Sequence, residues 1–537
     1  MKKILLKLKD RTPLEIGLLI LLLFQLAVSV YYNLALLSCH MGYDSSWSYL
    51  KAALIWREKS LVSDVWRDQT NVFLDSSMLP AALLYGLTDN LFLSYGIANC
   101  VVLLLILMCM DHIMKSFGCR IRERLICANL LICPYLTNGF VVGNDLGYFN
   151  DLISGPAFYA VRVLLFLLII KVFLDIEKNH KMNVWAWLSF LLCFVAGMSS
   201  GVFIIVMILL PYLIYEFERA MLENTFRVFR ETEAVYAYLC CIFVMMGRIF
   251  GEMVLGIRSI DASRCLSSIE RIWTNMGAVI QGLMKLLGVL PVLDTEIPVM
   301  SAEGVFHIFP ILIFGIAIIA LVYHIGKICK NPGSVERKTL FVCNIVICNF
   351  LMFSLFNVSY GSAVFEERYL ICTYAAIIIL IGCFFKDLNR KFLATGFLYA
   401  ALLVGLCGTD LVSDWKYATT TNDNWQMAEI TEAADQYDAE LVYIWGDSVS
   451  ILGRSLRAYD LSRVYKCIDS AGGYNHWGDY LYYEQNEEYD GNTLLIVSKS
   501  EQCVPDQILN QYVLVGEFDA VYLYLCTYNP IDLYAGS

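Results

Sequence analysis

The chain has 537 residues, of which 58% are hydrophobic and 17% charged, with a formal net charge of −11 and a mean hydropathy of +0.60. Soluble domains run nearer half apolar and a quarter charged, so this composition excludes an ordinary soluble protein. It also lacks the basic footprint of a nucleic-acid binder.

The apolar excess falls in blocks of roughly 17–25 residues, the length that crosses a hydrocarbon core. The first, Leu14–Leu37, follows the basic segment 1–13, which holds Lys2, Lys3, Lys7, Lys9 and Arg11. It is longer than the apolar core of a signal peptide and no small-residue cleavage site follows it, so it reads as a retained span. The blocks after it are Leu91–Met114, Leu125–Val142, Pro156–Ile176, Val184–Ser199 and Val202–Phe217. Then come Ala234–Leu255, Val305–Ile325, Leu340–Tyr360, Tyr369–Phe385 and Phe392–Leu411. The expected fold class is therefore a polytopic α-helical membrane protein with about eleven transmembrane helices. Of the 39 Lys and Arg residues, 21 lie in six short segments totalling 66 residues: 1–13, 115–124, 177–183, 217–232, 326–339 and 386–391. The basic-residue rule puts that side in the cytoplasm. The N-terminus is then cytoplasmic and the C-terminus extracytoplasmic.

Three outer segments exceed a connector: 38–90, 256–304 and 412–537. The first opens on Gly42-Tyr43-Asp44-Ser45 and continues as a helix-like stretch, Ser46–Lys59. Trp47, Leu50, Ala53, Leu54 and Trp56 are expected on one lipid-facing side of it. The second carries Leu266, Ile269, Ile272, Trp273, Met276, Val279, Ile280, Leu283 and Leu287 at spacings of three and four. With Arg264, Arg271 and Lys285 interrupting, it predicts a helix lying in the interface plane. The third changes texture. Helical patterns at Trp425–Gln436, Asp447–Leu456 and Pro505–Gln511 alternate with strand patterns at Leu441–Trp445, Val464–Cys467, Thr493–Val497, Tyr512–Gly516 and Ala520–Cys526. That alternation predicts a small extracytoplasmic α/β domain. The expected organisation is a transmembrane domain over 1–411 and an α/β domain over 412–537.

Most soluble-enzyme motifs are missing: the chain has no P-loop, His-Glu-x-x-His or Cys-x-x-Cys string. Its 6 histidines do not cluster in sequence, and its 19 cysteines lie mostly in the spans, where a thiol behaves as a small apolar group. The informative residues are ionisable groups at the outer ends of spans, where charge is costly and faces a cavity or partner. Asp44 follows the first span, Asp145 and Asp151 flank Gly147-Tyr148-Phe149-Asn150, and Glu366, Glu367 and Arg368 precede the tenth. Arg162, Lys171 and Arg248 fall within spans, the first two placed where they can reach an interface.

A first span leading into Gly42-Tyr43-Asp44-Ser45 and an amphipathic helix resembles the GT-C superfamily of membrane glycosyltransferases. So do Gly197-Met198-Ser199-Ser200-Gly201 read as a tight outer turn, Pro211, Glu367-Arg368-Tyr369-Leu370 entering a late span, and an extracytoplasmic α/β tail. The likeness is closest in style to protein-mannosyltransferase-like and aminoarabinose-transferase-like bacterial members. One departure stands out: many protein-mannosyltransferase-like members carry an Asp-Glu pair in the first loop, whereas here Asp44 is followed by Ser45.

The resemblance implies transfer of a hexose or pentose from a polyprenyl-phosphate donor to a glycan, lipid or protein acceptor, with inversion, in the bacterial cell envelope. Asp44 is then the base, and Arg368, Arg258 and Arg271 are the candidates for the donor phosphate. Asp145, Asp151 and Glu367 stand as a second acid or acceptor contact, and Tyr43, Tyr369, His476 and Trp477 as sugar or acceptor contacts. Superfamily members differ in metal use, so a divalent ion (Mg or Mn) held by Asp44 and Asp145 stays open. The expected partners are the lipid bilayer, the polyprenyl-phosphate sugar donor and the glycan, lipid or protein acceptor, with no nucleic acid. Rival readings are a transporter or flippase, or a polymerase, of lipid-linked glycans; no half-to-half repeat of the transporter kind is visible.

Overall fold

The computed structural model describes residues 12–41, 43–62, 72–133, 152–257, 265–290, 298–330, 337–357, 367–388, 398–399, 401–403, 425–473, 489, 491–501 and 503–531. The chain divides into two compact units. One comprises Met1–Asn33, Asn71–Ser77 and Gly96–Thr419; the other comprises Leu34–Thr70, Met78–Tyr95 and Thr420–Ser537.

The first unit is helical. α1 (Pro13–Tyr31) starts on a capping box in which Thr12 accepts from the Glu15 amide and Glu15 accepts from the Thr12 amide, with Pro13 at the first helical position. The chain then supplies α2 (Tyr43–Glu58) and α3 (Met78–Thr88) to the other unit, and returns through α4 (Leu91–Ser116) and α5 (Ile121–Ile132). α6 (Ala160–Asn179) and α7 (Val184–Ser200) follow, then a π-helical stretch, Ile205–Leu209, running into α8 (Leu210–Leu222). α9 (Thr232–Met253), α10 (Ile269–Leu286), α11 (Ala302–Lys330), α12 (Arg337–Leu355) and α13 (Ile371–Asp387) complete the unit's main helices. Among the described residues 6 helices are long and apolar enough to cross a membrane: Pro13–Leu36, Leu91–Ser116, Thr232–Met253, Ile308–Lys330, Arg337–Leu355 and Glu367–Asp387. The protein is polytopic. The last of these is 89% buried, apolar on every side because protein rather than lipid surrounds it.

Gly197-Met198-Ser199-Ser200-Gly201 is not a turn from end to end. α7 runs through Ser200, and only Gly201 breaks it, at φ 62°. Gly197 works instead as a crossing point. A Cβ there would meet the Val244 carbonyl oxygen of α9 at 2.0 Å, and one at Gly247 would meet the Phe194 carbonyl oxygen of α7 at 2.0 Å. The two helices touch backbone to backbone, the use small residues serve between membrane helices.

Arg162 does not reach an interface either. It is 2% exposed and pairs with Asp75, 1% exposed, through Nε to Oδ2 at 2.8 Å and Nη2 to Oδ1 at 3.0 Å. Ser199 Oγ donates to Asp75 Oδ1, and Phe73, Tyr159 and Phe203 surround the guanidinium at 4.8–5.4 Å. Lys171 is likewise paired, with Asp175 at 2.8 Å, and Arg248 with Glu252 at 3.0 Å.

The second unit joins α2 and α3 to the α/β tail. β3 (Ala439–Trp445), β4 (Val464–Ile468) and β5 (Asn492–Ser498) are parallel; β6 (Val513–Glu517) and β7 (Val521–Cys526) are antiparallel. The spatial order is β4-β3-β5-β7-β6. The helices α14 (Trp425–Gln436), α15 (Ser450–Tyr459) and the single turn α16 (Asp506–Leu509) fall where the sequence pattern puts them. β3, β4 and β5 are buried almost throughout, as parallel strands covered on both faces must be. Leu441, Tyr443 and Trp445 alternate onto the core face that also takes Leu495, Val497 and Ile508.

Candidate functional site

In the first unit the long loop between α9 and α11 is tied down before its helix begins. β1 (Cys265–Leu266) pairs antiparallel with β2 (Phe356–Asn357), and the Ser267 amide donates to the Leu355 carbonyl at 2.8 Å. Ser268 caps α10 by accepting from the Arg271 amide at 3.3 Å. Asn275, buried one turn later, donates to the Ser267 hydroxyl and to the Ser354 carbonyl. α10 therefore presents Asn275, Val279, Gly282 and Leu286 inward, and Ile269, Trp273 and Ile280 outward. This is the amphipathic helix expected from the spacing. Arg271 falls four residues before Asn275, on the inward side.

α10 packs on the single 3₁₀ turn Glu367–Leu370, which enters α13. Glu367, Arg368 and Tyr369 are half-buried and Leu370 is fully buried. Two arginines nearly a hundred residues apart in sequence, Arg271 and Arg368, thus stand on adjoining elements. The Arg271 Nε is buried, and among the described residues no group accepts from it. A buried donor left without an acceptor costs about 1–3 kcal/mol.

Beside these elements α10, α11, α12 and α13 line an apolar groove of about 390 Å³. Val279, Leu283, Phe314, Phe350, Leu370 and Ile377 line it, and Thr373 is the single polar residue of its wall. Thr373 is itself occupied, accepting from Asn349 at 3.1 Å. The volume lies in the usual range for small-molecule sites, about 300–1,000 Å³. Leu370 is shared between the groove wall and the turn that carries Arg368. An apolar slot of this kind suits the hydrocarbon part of an amphiphile.

The connection ahead of α6 is also held. Asn33 donates to the Ile153 carbonyl and Asn99 to the Gly155 carbonyl, each at 2.9 Å, and Asn99 donates to the Asn33 side-chain oxygen at 2.9 Å. Neither asparagine, nor Asp75, stands out in the sequence. The available signal was Arg162, since a cation inside an apolar span demands a counter-ion.

In the second unit Tyr43 and Asp44 are the first two residues of α2. The expected lipid-facing side of this helix is covered by protein: Trp47, Leu50, Ala53 and Leu54 are each at most 7% exposed. α2 packs on α3 and on α15 of the tail. Ser46 and Ser455 share a buried hydrogen bond of 3.1 Å, and Tyr95 donates to the Ser48 carbonyl at 2.8 Å. Tyr49 is packed edge-on against Phe92 and Tyr95, and burial pushes its phenol well above the usual range. The tail is thus the support of the helix that begins at Tyr43 and Asp44, which periodicity alone does not reveal.

Arg258, Asp145, Asp151, His476 and Trp477 lie outside the described residues, as does Glu366. Among the described residues no group of three or more His, Cys, Asp or Glu is placed to hold a metal ion.

No family model matches the chain, and no curated protein does. Solved structures do. ArnT from Cupriavidus metallidurans bound to undecaprenyl phosphate matches with a TM-score of 0.56 at 11% identity, over 95% of this chain and 98% of that one. The same protein in the apo state gives 0.54 at 11% identity, over 95% and 97%. An oligosaccharyltransferase from Archaeoglobus fulgidus, in complex with Zn and sulfate, gives 0.46 at 11%, over 83% of this chain and 62% of that one. The likeness to ArnT spans both proteins nearly end to end and is one of fold. The GT-C resemblance of the sequence holds at that level.

Proposed function

We propose that this polytopic protein of GT-C fold is an inverting glycosyltransferase of the plasma membrane, moving a hexose or pentose from a polyprenyl-phosphate donor to an acceptor hydroxyl at the extracytoplasmic face. The observation that carries the reading is the apolar groove of about 390 Å³ sharing Leu370 with the Arg368 turn, which packs on α10 and its Arg271, whose Nε has no partner among the described residues. A polyprenyl chain fits the slot and its phosphate answers the guanidinium groups. The ArnT structure with undecaprenyl phosphate supports a donor of that class. The membrane part, 1–411, then holds the donor, with the N-terminus cytoplasmic, and the tail, 412–537, faces outward with the C-terminus.

The chemistry needs few parts. The acceptor oxygen attacks the anomeric carbon on the face opposite the phosphate, and its proton passes to the Asp44 carboxylate. As the bond from anomeric carbon to phosphate oxygen breaks, negative charge collects on the departing lipid phosphate. Arg368 and Arg271, with Arg258, stabilise it through charge-assisted hydrogen bonds. Asp145, Asp151, Glu367, Tyr369, His476 and Trp477 remain the candidate acceptor and sugar contacts.

The test offers purified protein in nanodiscs a panel of polyprenyl-phosphate sugars with glycan, lipid and peptide acceptors. Donor consumption that disappears in Asp44→Asn supports the reading, and an EDTA arm decides whether an ion takes part. Full activity in Asp44→Asn refutes the assignment of the base. Passage of intact lipid-linked sugar across the bilayer, without transfer, replaces the enzyme by a flippase.

A further inference from the structure

The tail sheet has a reversal in its winding. From β3 the chain goes through α15 to β4 on one side, and then crosses back to β5 on the other side of β3. In open α/β sheets the carboxyl ends of the strands at such a reversal flank a crevice where ligands bind. Three segments meet there: Gly446-Asp447-Ser448 after β3, Asp469-Ser470 after β4, and Ser500-Glu501 after β5.

Their bonds knit this edge together. The Ser448 amide donates to Glu501 Oε1 at 3.0 Å, Ser448 Oγ donates to Ser498 Oγ at 2.8 Å, and Ser470 Oγ donates to Asp447 Oδ2. Gly446, at φ 121°, is required: a Cβ there would lie 2.5 Å from Glu501 Oε2. Asp447, Ser448, Ser470 and Ser500 are exposed at the rim.

Two polar atoms at this edge are left over. Trp445, the last residue of β3, is 3% exposed, and among the described residues its Nε1–H has no acceptor. The ring edge that bears this nitrogen faces the β4 loop, with Cζ2 3.7 Å from the Cβ position of Gly472. Glu501 Oε2 is buried and, among the described residues, likewise receives no hydrogen bond. A buried indole N–H wants an acceptor and a buried carboxylate oxygen wants a donor. A single ligand that serves both must offer each kind of group. Three carboxylates (Asp447, Asp469 and Glu501) repel phosphate and other anions. A bare cation would satisfy the carboxylates and leave the indole unmet. Hydroxyl groups donate and accept at once, and an ammonium group on the same ring is welcome.

We infer that the carboxyl edge of β3 and β5 in the tail is a second saccharide site, binding a neutral or amino-bearing sugar unit through Trp445, Asp447 and Glu501. That the bound unit belongs to the acceptor glycan rests on the transferase reading; that the tail binds sugar does not.

The experiment uses the full chain in nanodiscs on an array of immobilised hexose, pentose and amino-sugar oligosaccharides, with inorganic phosphate as a competing anion. Affinity for the best ligand is measured for wild type, Trp445→Phe, Asp447→Asn and Glu501→Gln, with Glu517→Gln on β6 as control. Thermal melting of each variant reports folding, and Asp447→Asn, being at an exposed rim, keeps the test open if a core variant fails. Binding that falls about tenfold or more in Trp445→Phe and Asp447→Asn, but not in Glu517→Gln, supports the site; tenfold corresponds to about 1.4 kcal/mol. Binding that these variants leave unchanged, or that inorganic phosphate abolishes, overturns it. Donor transfer without any array binding sinks this inference and spares the transferase reading. Array binding without transfer does the reverse.

Discussion

Replacing Arg271 by methionine should move activity and stability in opposite directions. Methionine keeps an unbranched apolar stem one turn before Asn275 but removes every side-chain donor. The wild-type Nε is buried without an acceptor among the described residues, so its loss relieves a penalty of about 1–3 kcal/mol. The midpoint of thermal unfolding in nanodiscs should therefore rise or stay level. If Arg271 binds the donor phosphate, each lost charge-assisted hydrogen bond is worth about 1.5–3 kcal/mol. At about 1.36 kcal/mol per decade of rate, kcat/KM falls roughly 10- to 150-fold. Arg271→Lys should recover only part of this, because an ammonium cannot reproduce the planar fork of a guanidinium. Single-turnover transfer from a polyprenyl-phosphate sugar, run beside differential scanning fluorimetry, reads both quantities. A variant that loses stability along with activity makes Arg271 a structural group. One whose kcat/KM stays within about twofold of wild type removes it from donor binding, and the reasoning from its unmet nitrogen with it.

Other outcomes follow from features described above. Gly197→Ala forces a Cβ against the Val244 carbonyl oxygen and should destabilise the α7–α9 crossing by about 1–3 kcal/mol, read as a lower unfolding temperature. Arg162→Met leaves Asp75 buried and unpaired at a cost of about 3–5 kcal/mol, whereas the double variant Arg162→Met/Asp75→Leu should regain most of it; yields of monodisperse protein after heating distinguish the two. In the tail, burial raises the Asp460 carboxyl, but hydrogen bonds from Ser462, Arg463 and Tyr465 outweigh burial and hold it below the ordinary carboxylate range. A depressed folded value means this contribution is complete above the unfolded carboxylate pKa of about 3.9 and is lost as pH falls through the folded one. Urea unfolding of the full chain, followed by tryptophan fluorescence from pH 6 down to pH 2, should show Asp460→Asn less stable at pH 6 and less sensitive to acid.

Much of the architecture is legible because its signals are local. The tail strands and helices announce themselves by runs such as Leu441–Trp445 and Thr493–Val497, and α10 by its three- and four-residue spacing. What escapes is pairing across long stretches of chain. The pattern in Ser46–Lys59 is the same whether lipid or protein covers Trp47 and Leu50, so periodicity marks an apolar face without naming what lies against it. Asp75 reads as a loop residue until Arg162 is known to be buried beside it. Gly197 reads as a turn because helix crossings and turns both select glycine. Of the candidate site, the Glu367–Leu370 turn and Arg271 are visible in sequence, but their adjacency depends on β1, β2 and Asn275, none of which carries a signature.

The bond between Ser46 and Ser455 bridges 409 residues, and that separation bears on how the protein is made. At a synthesis rate of about 5–20 residues per second, roughly 20–80 s pass between emergence of α2 and of the helix it rests on. Through that interval the side of α2 bearing Trp47 and Leu50 has no tail to lie against, and the bilayer surface is the apolar phase at hand. The amphipathic pattern that misleads a reader about the finished fold thus describes the segment's circumstances during biogenesis. A ribosome that stalls anywhere before residue 455 leaves the first loop without its permanent neighbour, however complete the membrane helices behind it are.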